Sequence, residues 1–157
     1  MSISIALSAI LTLTPGCAPA GAHDENAPSE LRNVTVLGEP GRYNGQFVYP
    51  RGLDVFENGT VTYAVIVDKT ARIQLMDLDS GKVIGAINTP KWDRGMPTGL
   101  TVQSSVLDPA KLAIYVADTH EHRVLMYELP IASTDKPVPT EPDLQFGSFG
   151  QGPGQFI

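Results

Sequence analysis

One cysteine in 157 residues, Cys17, excludes an internal disulfide framework and any zinc site built from several thiolates. Imidazole chemistry is confined to His23, His120 and His122, and indole contacts to Trp92. The 11 Lys and Arg are outnumbered by 17 Asp and Glu, giving a formal charge of −6, and no basic block reverses the balance, so nucleic acid is not an expected partner. No glycine loop leads into a helix whose N-terminus would hold phosphate; the glycine-rich stretch from Gly147 to Gly154 is followed by Gln155, Phe156 and Ile157. The one long uncharged apolar run, residues 3–13, is too short to span a bilayer as a helix and has the length of the apolar core of an export signal.

What is present is a repeat. Residues 113–117 are apolar and partly β-branched, 118–122 form a polar turn, and 124–129 are apolar again. Residues 63–78 carry a weaker copy, with Asp68 and Arg72 in the places of Asp118 and Arg123. Ahead of each copy lies Pro-x-Gly-Leu, as Pro50, Gly52, Leu53 and as Pro97, Gly99, Leu100. Ahead of the first lies Gly45-Gln46-Phe47, which returns at the far end as Gly154-Gln155-Phe156.

Alternation and turn signals predict strands at 33–37, 51–56, 63–67, 73–78 and 83–88, then at 113–117, 124–129 and 144–149. Pro130, Pro137, Pro139 and Pro142 mark a long loop between the last two. Four antiparallel strands in about forty residues make one propeller blade. The expected fold is therefore all-β, with four-stranded antiparallel propeller blades at about 50–90 and 97–149, the start of a third from 150, and an incomplete ring.

The N-terminal part reads differently. Residues 14–17 end the apolar run in Thr-Pro-Gly-Cys, which resembles a bacterial lipoprotein signal with Gly16 before a lipidated Cys17. Pro15 is unusual in that pattern, and the positive residues that open such signals are missing. A plain secretory signal or a disordered tail is the competing reading. Residues 1–17 are thus read as export signal and residues 18–32 as a small, polar tether in which His23 is solvent-exposed and idle. The implied location is exported, periplasmic or outer-membrane, with the membrane reached through Cys17.

Over residues 38–157, Gly-Gln-Phe, Pro-x-Gly-Leu and Tyr115-Val-Ala-Asp118-Thr followed by Arg123 together resemble the NHL-repeat β-propellers. The resemblance implies a six-bladed ring, of which two blades and the opening of a third are present. A fragment of a longer propeller, a frameshifted gene and self-association through open blade edges compete as explanations. The fragment is favoured because the repeat stops inside its own lead-in loop. The strand at 33–37 is then expected to serve a closing blade.

Antiparallel alternation gathers the second-to-third-strand loops and the blade-to-blade connections at one end, with Tyr43, Lys69, residues 91–94 and residues 118–123. Asp68 with Arg72 and Asp118 with Arg123 are expected to fix their turns as ion pairs. His120, Glu121 and His122 are the sharpest chemical candidates, since two imidazoles one residue apart can chelate a divalent metal, although no third ligand is visible. Trp92 and Arg94 either contact a ligand or cover the seam between blades. No nucleophile is paired with a base, so no catalytic residue, resident metal or cofactor is assigned. The expected function is a non-enzymatic module binding a protein or small molecule at the loop end. The alternative is part of a propeller enzyme, since the resemblance extends to metal-dependent lyases of hydroxyglycine peptides and to lactone hydrolases.

Overall fold

The computed structural model describes residues 34–90, 97–129 and 141–157. The chain divides into Met1–Val34 and Thr35–Ile157, and of the first unit only Val34 is described. The second unit is all-β. Two short strands, β1 (Glu39–Pro40) and β2 (Gln46–Phe47), pair in parallel. They are followed by β3 (Pro50–Asn58), β4 (Val61–Asp68), β5 (Arg72–Asp77), β6 (Val83–Asn88), β7 (Gly99–Ser104), β8 (Leu112–Asp118), β9 (Arg123–Glu128) and β10 (Leu144–Phe146). A single 3-10 turn, Thr119–Glu121, joins β8 to β9.

The order is β3-β4-β5-β6 in one four-stranded sheet and β7-β8-β9-β10 in the other, every neighbouring pair antiparallel. These are the two expected blades, and among the described residues no ring closes around them. Tight turns hold them in sequence order. Gly59, at φ 64, allows the two-residue turn between Asn58 and Val61. Asp77 accepts the amides of Asp79 and Ser80 and the Ser80 hydroxyl, which folds the β5–β6 turn onto one carboxylate.

Alternation along the strands gives each sheet two faces. Val65, Val67, Ile73 and Ile87 form the front of the first sheet. They pack against Val102, Ile114, Val116, Leu125 and Tyr127, the back of the second, in one continuous core. The first sheet's own back carries Ala64, Ile66 and Met76, capped by Phe47, Leu78 and Val83. Leu53 and Val55 lie on that back and are exposed.

Two expected boundaries shift. The fourth strand of the second blade stops at Phe146, because Gly147 turns the chain at φ 103. Residues 34–38 are not strand, although their sequence alternates. A strand needs a partner, and among the described residues no strand of either four-stranded sheet pairs with this segment.

Candidate functional site

The loop leading into the first blade is built around its glycines and Gln46. Gly38 sits at φ 88, and a Cβ there would lie 2.5 Å from the Phe47 ring, so only glycine lets Phe47 fold back over the loop. The Gln46 side chain accepts the Tyr43 amide at 3.1 Å and donates to Glu39 at 2.9 Å. The same construction returns at the C-terminal end of the chain. A Cβ on Gly147 would meet Phe156 at 2.4 Å, and Gln155 accepts the Gly152 amide at 2.8 Å. The repeat therefore begins at Gly38 and Gly147, earlier than the Gly-Gln-Phe motif alone indicates.

Both expected ion pairs form, and each also binds a connection between strands. Arg72 lies 3.3 Å from Asp68 and donates to the carbonyls of Arg42, Tyr43 and Gln46. Asp68 is fully buried and also accepts the amides of Val48 and Thr70, at 3.2 and 2.8 Å. Gln74 completes the dock, accepting the Gly45 amide at 2.9 Å and donating to the Gln46 carbonyl at 2.8 Å. In the second blade, Arg123 bonds Asp118 at 2.8 Å, the Pro90 carbonyl at 2.9 Å and the Gln145 side chain at 3.1 Å. The charges are thus spent on holding backbone.

His120 and His122 lie in different surroundings. His120 is exposed on the 3-10 turn, whereas His122 adopts the left-handed conformation at φ 51 and turns its ring edge onto Phe149, centroids 4.9 Å apart. Glu121 is half-buried between them in sequence. Among the described residues, no group of three His, Cys, Asp or Glu is placed to hold a metal. Among the described residues there, three buried polar atoms lack a hydrogen-bond partner: Asp118 Oδ1, His122 Nδ1 and Tyr127 Oη. Burial, reinforced by the Asp118 charge, pushes the Tyr127 hydroxyl far above its ordinary range, so it stays protonated.

Two tyrosines stand exposed beside the first-blade turn. Tyr43 and Tyr49 are 81% and 74% exposed. Tyr49 is held at φ 51, a conformation costly for a tyrosine, by the Lys69 amide, which donates to the carbonyls of Val48 and Tyr49. The Lys69 ammonium stands 5.4 Å from the centre of the Tyr49 ring. Beside it lies a concavity of about 580 Å³ lined by Leu37, Pro40, Phe47, Tyr49 and Pro50 among others. Tyr49 carries no turn-forming side chain, so its left-handed backbone had no sequence signal. The following Pro50 favours extended backbone at this position, the opposite of what is found.

Cys17, His23, Lys91, Trp92, Asp93 and Arg94 lie outside the described residues, as do residues 130–140 of the long loop. Among the described residues no helix is long and apolar enough to cross a membrane. Comparison with protein-family models, with curated proteins and with solved structures returns no match to this chain.

Proposed function

We propose that this chain supplies two blades of an exported, lipid-anchored β-propeller of NHL type that binds a protein or small ligand at its loop-bearing end. The export and anchor rest on residues 3–17 with Cys17, and the family on the repeated motifs. The observation that carries the binding reading is Tyr49, an exposed aromatic kept in a costly left-handed backbone over Lys69 and beside an apolar concavity. Strain that persists on an exposed loop without serving the core is a mark of function. Tyr43 and Lys69 extend the same surface with a hydroxyl and a cation. The chemistry suits a ligand with an apolar or aromatic group and a nearby acceptor or anion.

The test separates stability from binding. Tyr49→Gly relieves the backbone, so its melting point should equal or exceed that of the wild type, by a free energy of about 1 kcal/mol. In an NMR titration with a panel of aromatic acids, shifts should cluster on residues 37–50 and Lys69, and should vanish in Tyr49→Gly. Shifts scattered over both sheets would sink the proposal.

The enzyme alternative draws on one observation, the buried and unpartnered His122 Nδ1 close in sequence to Asp118. Metal analysis of purified protein with His120→Ala and His122→Ala controls tests it. Bound metal lost in those variants would favour the enzyme.

A further inference from the structure

The two sheets are copies, so positions on one have counterparts on the other. Gly52, Leu53 and Val55 on β3 correspond to Gly99, Leu100 and Val102 on β7, with identical residue types. Inside the chain, Val102 is buried and Leu100 half-buried against the front of the first sheet. Val102 is 7% exposed, and a Cβ on Gly52 would come within 2.9 Å of the Leu100 amide nitrogen. The outward counterparts are bare. Leu53 and Val55 are 63% and 47% exposed, and a Cβ on Gly99 would meet nothing within 4 Å. The other half of the junction repeats the contrast. Val65, Val67, Ile73 and Ile87 are buried on the front of the first sheet, while their counterparts Tyr115, Ala117, Val124 and Phe146 are half-buried or exposed.

We infer that copies of this chain associate head to tail, the front of the second sheet of one copy covering the back of the first sheet of the next. A second copy fits because it brings to Tyr115, Ala117, Val124 and Phe146 the same Gly-Leu-x-Val edge that already fills this junction within the chain. The two surfaces are different, so the contact is heterologous and repeats with the blade-to-blade rotation until a ring closes. Propellers hold about four to eight blades, which at two blades per copy gives about two to four copies. Phe47 belongs both to the outer back face and to the concavity, so a docked copy would border the ligand site proposed above. Gly99 and Leu53 line no part of that concavity, so loss of assembly and loss of binding are separately readable.

Light scattering during gel filtration of the full chain tests this. The wild type should show a mass that rises with concentration to one fixed multiple. Gly99→Ala has room for its methyl in the single chain, so it should fold as the wild type does and associate at least about tenfold more weakly. Leu53→Asp/Val55→Asp blocks the other half. Mixing the two variants, at a concentration where each alone is monomeric, leaves one intact junction and should give a one-to-one dimer. A wild type that stays monomeric at every concentration overturns the inference. Association that neither variant weakens, or a mixture that stays monomeric while the wild type assembles, also overturns it.

Discussion

Gly52→Ala is the sharpest perturbation of the junction between the two sheets. The added Cβ would lie 2.9 Å from Leu100 N, 3.0 Å from Gly99 Cα and 3.1 Å from Gly99 C. All three are backbone atoms, so no side-chain rotation relieves the contact. The inner strands β3 and β7 would have to separate by a few tenths of an ångström. That loosens Leu100 and Val102 against the first sheet and stretches the Asp54 carboxylate from Val102 N and Thr101 Oγ1, now 2.7 and 2.9 Å away. Overpacking of this kind costs about 1–3 kcal/mol. With a urea dependence of about 1–3 kcal/mol per molar, the unfolding midpoint should fall by roughly 1 M. Gly99→Ala is the control: it makes the same change in the unfolded chain and meets open space in the folded one. Measured by urea unfolding on dilute monomer, it should stay within about 0.5 kcal/mol of the wild type. Equal midpoints for the two variants would refute front-to-back packing at Gly52.

Asp118→Ala leaves Arg123 in a largely buried place without its carboxylate and should cost about 3–5 kcal/mol in thermal or chemical unfolding. Arg72→Lys cannot serve the carbonyls of Arg42, Tyr43 and Gln46 together with Asp68, because a lysine has no planar fork. Hydrogen exchange should quicken at the amides of Gly41 and Gln46 while the amides of β4 and β5 stay protected. The Val102 amide, then the Thr101 hydroxyl and the Val55 amide, hold the Asp54 carboxyl below its ordinary value of 3.8. A folded-state pKa below the unfolded one adds stability above the unfolded value and loses it as pH falls through the folded value. Asp54→Asn should therefore be less stable than the wild type at neutral pH and converge on it in acid, as read from urea midpoints across pH.

The blades were legible because their cues are local. Pro-x-Gly-Leu, the alternating β-branched runs and the Asp-to-Arg turn spacing each report on a few adjacent residues, and β3 to β10 follow from them. The partners of Arg72 were not legible, since backbone carbonyls of Arg42, Tyr43 and Gln46 leave no trace in residue type. Residues 34–37 show the limit of periodicity: an alternating run states a preference, and a strand also needs a partner that pairs with it. For His120 and His122, the chelate-like spacing was visible. The ring contact of His122 with Phe149 was not, since its partner lies more than twenty residues away in sequence. The open faces were legible only in comparison, as identical residues at Leu53 and Leu100 in opposite environments.

The central claim is that the two sheets are successive blades packed front to back. A methyl-labelled NMR experiment on dilute monomer tests it most directly. The account predicts through-space contacts from Val65 and Val67 to Val102, Ile114 and Val116, and none from Leu53 or Val55 to the second sheet. Contacts from Leu53 and Val55 to Ile114 or Val116 would contradict it.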